Sequence, residues 1–299
     1  MADRRPTNTG RIIAAYGRRG KLETRSGDRF SYLVQGRRLR VVCGDRVDWV
    51  PDDQGELAIV TRILPRTNAL ERLPAGRPGT EVLAANLDLI IVVCAPRPEP
   101  DWFLVDRYLC AGALMGCRLL LASNKSDLPE HERNHEAMLE EYRKTGYAYL
   151  PVSALTNRGI ERLREALHDR IGILVGQSGV GKSSLINQLV PDADSSVGVI
   201  SAATQEGTHT TTASVMHDLP GGGRLIDTPG VRDFVPAIPD PASVQAGFPE
   251  ILAAADQCRF SDCRHLREPD CGVKIAVQNG AITQRRYESY KRLLRAVSG

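Results

Sequence analysis

The stretch that most constrains this chain is a glycine-rich octapeptide, which reads Gly176-Gln177-Ser178-Gly179-Val180-Gly181-Lys182-Ser183. It matches the pattern G-x-x-x-x-G-K-[ST] at every fixed position. An apolar run at 171–175 predicts a buried strand before it, and residues 184–189 predict a helix with an apolar face after it. In that setting the glycines allow a tight turn whose N–H groups point at phosphate oxygens. We therefore expect the chain to bind a nucleoside triphosphate.

The polar residues of this loop have separate predicted roles. Lys182 is expected to reach the β- and γ-phosphates and to take part in catalysis. The Ser183 hydroxyl is expected to bind the Mg²⁺ that accompanies the triphosphate. Contact with the nucleotide is expected along the whole loop and into the helix: Gly176, Gln177, Ser178, Gly179, Val180, Gly181, Lys182, Ser183 and Ser184.

Composition limits the class of protein and its compartment. The chain has 299 residues, of which 42% are hydrophobic and 25% charged, as in ordinary soluble proteins of two or three domains. No apolar run has membrane-spanning length, and the polar residues 1–10 lack a signal-peptide core. Seven cysteines without an export signal favour a reducing cytoplasm, where a cysteine cluster binds a metal more often than it forms disulfides. We expect a cytoplasmic protein with no membrane partner.

The first 40 residues are strongly basic. They carry eleven Lys and Arg residues against Asp3, Glu23 and Asp28, a local net charge of +8. Five short strands are predicted between Arg11 and Ile63, separated by turn residues. This pattern favours a small barrel of the OB type, a fold often used to bind RNA. A solvated basic face on a generic β-domain is the alternative, because charge reports the partner class only loosely.

A second motif follows a later strand. Residues 65–80 are rich in Pro, Gly, Arg and Asn and predict a linker, after which 87–94 and 118–122 predict buried parallel strands with a helix between them. The second of these strands ends in Asn124-Lys125-Ser126-Asp127. The Asp127 carboxylate can accept hydrogen bonds from N1–H and N2–H₂ of guanine, whereas adenine offers no such donor pair. Alone the motif is weak, but beside a phosphate loop it indicates guanine.

Three further elements complete the predicted nucleotide site. Asn124 is expected to join neighbouring loops, Lys125 to stack along the base, and Ser153-Ala154 to offer a backbone N–H to the guanine O6. After the phosphate loop, Thr211 of the polar run 204–212 is expected to bring its hydroxyl to Mg²⁺ and its N–H to the γ-phosphate. A Thr-rich linker is the alternative.

The segment Asp227-Thr228-Pro229-Gly230 matches D-x-x-G. Asp227 would hold Mg²⁺ through water, and the Gly230 N–H would contact the γ-phosphate. Many small GTPases place a water-orienting Gln next, but this chain has Val231, whose apolar side chain cannot orient water. His209 is the candidate catalytic residue in its place. An ordinary loop histidine is the alternative.

Near the C-terminus, four residues have the spacing C-x₄-C-x-H-x₅-C: Cys258, Cys263, His265 and Cys271. Three thiolates and an imidazole form a full tetrahedral set for one structural Zn²⁺, with no position left open for catalysis. Basic residues surround the set and continue along a helix predicted at 283–296.

The order of these motifs is unusual, because the base-reading motif precedes the phosphate loop. The fold expected is α/β: an OB-type RNA-binding barrel at 1–70, a circularly permuted P-loop GTPase domain at 71–240, and a small zinc-binding domain with helices at 241–299. Motif order, the segments 207–212 and 227–232, and the cysteine–histidine spacing closely resemble the family of ribosome small-subunit-dependent GTPase A. The resemblance covers nearly the whole chain.

That resemblance implies a monomeric assembly factor that acts late in maturation of the small ribosomal subunit. It implies that the barrel and the zinc domain bind 16S rRNA, that the subunit stimulates GTP hydrolysis, and that hydrolysis triggers release. Two alternatives stay open. One is a nucleotide-gated RNA- or protein-binding module with negligible turnover, which Val231 encourages, and the other is an ATP-using P-loop enzyme.

Overall fold

A computed structural model describes residues 7–36, 38–74, 79–129, 134–190, 213–228, 234–238 and 240–297. Among these residues, no helix combines the length and the apolar composition needed to cross a lipid bilayer.

The N-terminal strands close into a five-stranded barrel, as predicted. The strands are β1 (Asn8–Tyr16), β2 (Arg19–Thr24), β3 (Arg29–Val34), β4 (Arg46–Pro51) and β5 (Leu57–Ile63). They pair in the order β1–β2–β3–β5–β4, and β4 pairs back with β1. Alternate side chains fill the interior, among them Ile12, Leu22, Tyr32 and Val60. The barrel therefore has its own apolar core.

A short hairpin connects the barrel to the nucleotide-binding region. It consists of β6 (Ala69–Arg72) and β7 (Glu81–Ala85), and its Leu70 is fully buried. The prediction of a linker over 65–80 was wrong for β6. A strand of four residues is too short to show a recognisable alternation of apolar and polar side chains. It is stabilised by its pairing with β7.

The central sheet is parallel through five strands. They are β8 (Leu89–Cys94), β9 (Arg118–Ser123), β10 (Ala148–Pro151), β11 (Ile171–Val175) and β13 (Arg224–Asp227). Four helices lie along the sheet: α1 (Trp102–Leu114), α2 (Asn134–Lys144), α3 (Ile160–Leu167) and α4 (Lys182–Leu189). The strand order is β10–β9–β8–β11–β13, followed by the antiparallel β12 (Ser214–Asp218).

The two faces of this sheet bury separate apolar clusters. Ile90 and Val92 of β8 point into the cluster that α1 and α2 cover, whereas Ile91 and Val93 point into the cluster that α3 and α4 cover. A strand covered on both faces needs apolar residues at every position. The continuous apolar run at 89–94 is thereby explained.

The barrel and the central sheet share hydrogen bonds. The end of β1 pairs with β12, with Ala14 opposite Val215 and Ala15 opposite Ser214, so that one sheet of eleven strands runs through both. Beside this junction Glu23 of β2 accepts hydrogen bonds from Arg29 and from Arg224 of β13. Two unlike parts of the chain are thus joined by backbone pairing and by a nearly buried carboxylate.

The C-terminal region is helical. A 3₁₀ helix (Pro241–Gly247) leads into α5 (Pro249–Ala255), α6 (Gly272–Gln278) and α7 (Gln284–Val297). They enclose an apolar cluster that includes Phe248, Ile251, Tyr290 and Leu293. Cys110 of α1 belongs to the same cluster, so the C-terminal helices pack directly on the nucleotide-binding region.

The junction beside Glu23 gives a stability prediction. We expect Glu23→Gln to lower the free energy of unfolding by about 1–2 kcal/mol, because the Arg224 guanidinium would lose a charged acceptor in a site that is only 28% exposed. The measurement is urea denaturation. The matched control is Glu140→Gln, which breaks the exposed pair with Arg143 and should leave the midpoint unchanged. An equal effect of both substitutions would contradict the prediction.

Candidate functional site

The glycine-rich loop lies between the end of β11 and the start of α4, as the sequence predicts. Gly181 has φ +93°, and a Cβ there would lie 2.3 Å from the Asn124 amide nitrogen. Gly176 has φ +138°, and a Cβ there would lie 2.2 Å from the Val93 carbonyl oxygen. Both positions therefore need glycine, because the loop passes so close to the neighbouring strands.

Lys182, the first residue of α4, folds back over this loop. Its ammonium group donates hydrogen bonds to the carbonyl oxygens of Gly176 and Gln177, each at 2.7 Å. Ser183 and Ser184 follow and are exposed, so their hydroxyls face outward at the helix N-terminus. The loop and the start of α4 thus carry a cation and exposed hydroxyls at a helix N-terminus, groups that suit an anion with a bound divalent cation.

The predicted base-reading motif touches the phosphate loop directly. The Asn124 side chain is 2% exposed, and its amide nitrogen donates to the Val180 carbonyl at 2.8 Å. Lys125, in a left-handed conformation with φ +60°, donates from its ammonium group to the carbonyls of Gly179 at 2.9 Å and Arg97 at 2.7 Å. Segments more than fifty residues apart in the chain therefore form one site.

Asp127 and the pair Ser153-Ala154 lie on the same side of this site. The buried Ser153 hydroxyl donates to the Asp127 carboxylate at 2.5 Å, which fixes the orientation of an otherwise exposed side chain. The Ala154 N–H donates to the Asn124 amide oxygen at 3.2 Å. The sequence predicts that a backbone N–H of this pair meets the guanine O6, and in the structure the Ala154 N–H holds Asn124 in place.

Asp227 ends β13 beside the phosphate loop, next to β11. Partial removal from water raises the pKa of Asp227, and the nearby His217 and Lys182 act in the opposite direction. His217 lies on the adjacent strand β12 and is 8% exposed; burial lowers its pKa despite Asp227 and Asp218. The His217 imidazole and the Asp227 carboxylate thus lie on adjacent strands near the expected metal-bound phosphate. A cation there would favour the charged form of Asp227.

Several predicted residues lie outside the described part of the chain: His209, Thr211, Gly230 and Val231. Their assignments remain predictions. The neighbouring Thr228 is described, and its hydroxyl accepts a hydrogen bond from Ser214 of β12. Thr228 therefore ties the end of β13 to the start of β12.

The second predicted site brings all four of its residues together. The ligand atoms of Cys258, Cys263, His265 and Cys271 lie within 4.8 Å of one another. The Cys258 and Cys271 sulfurs are 3.8 Å apart, and the His265 Nδ1 lies 3.4 and 3.5 Å from them. Ligands around a tetrahedral Zn²⁺ ion leave about 3.8 Å between two sulfurs and about 3.5 Å between sulfur and nitrogen. The cluster can hold a metal ion of that size.

Residues that the sequence analysis missed hold this cluster in shape. The Gln245 side chain bonds the other ring nitrogen of His265 at 2.8 Å, which leaves Nδ1 for a metal. Partial removal from water would by itself raise the pKa of Glu268. Backbone N–H donors of its own and of Arg264, Leu266 and Arg267 outweigh that effect and bring the pKa to about 2. Glu268 could have been noticed in the sequence because it is an acidic residue between the predicted ligands His265 and Cys271. Nothing in the sequence singles out Gln245.

Comparison with known proteins gives consistent matches. The family model described as RsgA GTPase matches residues 63–235. The small ribosomal subunit biogenesis GTPases RsgA of Pseudomonas fluorescens Pf-5 and of Ectopseudomonas mendocina are each 42% identical to this chain, over 97% of it and 85% of their own length.

Two solved structures share the whole architecture. YjeQ from Thermotoga maritima superposes with a TM-score of 0.75 at 30% identity and covers 98% of this chain and 99% of its own. YloQ, described as a circularly permuted GTPase, has a TM-score of 0.72 at 23% identity and covers 100% and 97%. The fold is therefore a circularly permuted GTPase domain with an N-terminal five-stranded barrel and a helical C-terminal region.

The ligand geometry predicts a tightly held ion. We expect the purified chain to retain about one metal ion after gel filtration, and we expect Cys271→Ser to lose most of it, because one of four ligands is removed. Elemental analysis by mass spectrometry measures the content. Cys117→Ser is the matched control, since Cys117 lies outside the cluster and should leave the metal content unchanged. A metal-free wild type would contradict the prediction.

Proposed function

We propose a working cycle for this chain, which belongs to the RsgA GTPase family and is a GTPase of ribosome assembly. In this cycle the GTP-bound protein binds the small ribosomal subunit late in its maturation, the subunit stimulates GTP hydrolysis, and hydrolysis triggers release. The proposal is carried by one observation: Asn124 and Lys125 are hydrogen-bonded to the phosphate loop, so base recognition and phosphate binding belong to one site.

The proposed nucleotide contacts follow from that geometry. The loop 176–184 surrounds the phosphates, with Lys182 leaving its carbonyl partners for the β- and γ-oxygens. Asp127, oriented by Ser153, accepts from the guanine ring nitrogens. Ser183, Thr211 and, through water, Asp227 would hold Mg²⁺, which neutralises charge on the phosphates when it is bound. The donor set suits that ion, since Mg²⁺ prefers hydroxyl, water and carboxylate oxygens.

The proposed hydrolytic step does not use the residue after the D-x-x-G glycine. Val231 cannot orient water, so the intrinsic rate is expected to be low. His209 is the proposed group that orients the attacking water once the subunit is bound, and Thr211 and Gly230 are proposed to contact the γ-phosphate. A subunit that positions this group would make turnover depend on the subunit.

The proposed RNA contacts use two basic surfaces. On the barrel, Arg18 donates to the carbonyls of Val34 and Gly36, which holds the β1–β2 turn against the loop that carries Arg38 and Arg40. Around the metal cluster, exposed arginines lie at 259, 264 and 267. Phosphate contacts of this kind supply most of the affinity for RNA. We propose that both surfaces bind 16S rRNA, that the metal is structural Zn²⁺, and that the protein acts as a cytoplasmic monomer without a membrane partner.

A second candidate function rests on Val231. Without a water-orienting side chain the chain could act as a nucleotide-gated RNA- or protein-binding module with negligible turnover. The two functions differ in one measurable quantity, which is the rate of GTP hydrolysis in the presence of the subunit.

The role of Asp127 gives a specificity prediction. We expect Asp127→Asn to weaken GTP binding by about 100-fold or more and to reverse the preference for GTP over xanthosine triphosphate, because the new amide can donate to the xanthine carbonyl. Competition titration with both nucleotides measures the change. Asp169→Asn is the control, because Asp169 is exposed and precedes β11, at the opposite edge of the sheet. An unchanged preference would remove Asp127 from base recognition and reopen the ATP-using alternative.

The cycle itself is tested by GTP turnover titrated with purified small subunits. We expect a rise in turnover that saturates with subunit, and a loss of about 100-fold in the stimulated rate for His209→Ala. The absence of any stimulation would favour the binding-module function. An unaffected stimulated rate in His209→Ala would leave the cycle intact and exclude that histidine from it.

A further inference from the structure

Helix α1 and the C-terminal helix α7, with the side-chain hydrogen bonds at their ends, connect the phosphate loop with the metal cluster. We propose that Gln177 is a positioning residue which ties the orientation of α1, and with it the metal segment (residues 258–271), to the nucleotide state of the phosphate loop. This proposal rests on the proposed function, since it requires a guanine nucleotide in the loop.

The first link joins the phosphate loop to the start of α1. The Gln177 side-chain oxygen accepts a hydrogen bond from the Asp101 N–H at 2.9 Å, across 76 residues of sequence. Asp101 is the N-cap of α1, and its carboxylate accepts from the Leu104 N–H at 3.0 Å. A side chain of the phosphate loop therefore holds the residue from which the helix starts, and any displacement of the loop acts on the helix end.

The second link joins α1 to the C-terminal helix α7. Asp106 of α1 is fully buried, and its carboxylate accepts from Arg286 at 2.6 Å, from Arg285 at 2.9 Å and from Tyr142 of α2 at 2.6 Å. Arg286 is 1% exposed and also donates twice to Glu250 of α5, at 2.6 and 3.1 Å. Buried, charge-assisted contacts of this kind have a narrow range of allowed geometries. Helices α1, α5 and α7 are therefore expected to move together.

The third link joins α7 to the metal segment. The Tyr287 hydroxyl donates to the carbonyl of His265, a predicted metal ligand, and the Tyr290 hydroxyl donates to the carbonyl of Arg264 at 3.1 Å. Tyr287 directly follows Arg286 in the helix. A rotation of α7 would thus act on the backbone of the metal segment, and the basic residues around the cluster would follow.

The nucleotide can act on Gln177 through the backbone of the same residue. The Gln177 carbonyl is one of the two that accept a hydrogen bond from the Lys182 ammonium group. A triphosphate that draws this cation toward its oxygens removes a donor from Gln177, whose side chain holds α1. Gln177 is thus hydrogen-bonded to Lys182 through its carbonyl and to the start of α1 through its side chain. Coupling between two binding sites is reciprocal. Binding of RNA by the metal segment should therefore change nucleotide affinity by the same factor.

A pair of substitutions at Asp101 isolates the link. Asp101→Pro and Asp101→Ala both remove the capping carboxylate, but only proline removes the N–H that Gln177 accepts. The φ of −77° at Asp101 already suits proline. We would measure amide hydrogen exchange of residues 258–271 in the full-length, metal-loaded chain, with GDP and with a non-hydrolysable GTP analogue. Nucleotide affinity would be measured separately by titration.

We expect the wild type and Asp101→Ala to differ in exchange between the two nucleotides, and we expect Asp101→Pro to reduce that difference by about 2- to 10-fold, the worth of one hydrogen bond. Gln177→Met, which keeps the side-chain shape without the acceptor, should do the same and serves if Asp101→Pro does not fold. A wild-type difference retained in these variants, or no difference in a wild type that binds both nucleotides, would overturn the proposal. A wild type that binds neither nucleotide would overturn the proposed function itself.

Discussion

The nucleotide site depends on one buried amide. The Asn124 side chain donates to the Val180 carbonyl and accepts from the Ala154 N–H, so it joins the loops that we propose to bind the base to the phosphate loop. These loops follow β9, β10 and β11. In an unpermuted GTPase the phosphate loop, which here follows β11, would come first in the chain. Because the amide joins them in space, the order of the chain does not matter to the bound ligand. Circular permutation is tolerated for this reason.

A second set of buried charges orients the C-terminal helices. Replacing a buried ion pair by apolar residues often costs little stability, whereas removal of one partner costs about 3–5 kcal/mol. The contacts of Arg286 with Asp106 and Glu250 are therefore poorly explained as a source of stability alone. We interpret them as a device that selects one orientation of α7 on α1.

The sequence predicted those features that are encoded locally. The phosphate loop, the strands of the barrel, the parallel strands and the four clustered ligands each have a pattern within a few neighbouring residues, and the structure has them at nearly the predicted bounds. The hairpin of β6, the contact of Gln177 with Asp101 and the support of His265 by Gln245 were missed. Each joins residues far apart in sequence, or depends on a partner strand, and no local periodicity reports such contacts.

The pairing of β1 with β12 has a further consequence. The first four residues of β1 pair with β4 and close the barrel. The last residues of β1 pair with β12 and extend the central sheet, so one strand takes part in both. Neither part could be excised by cutting the chain near residue 70 without leaving a row of unpaired backbone groups on β12 or on the end of β1. Unpaired edges of that kind promote aggregation. The barrel is therefore a structural part of the GTPase sheet, and we do not expect it to fold as a separable module.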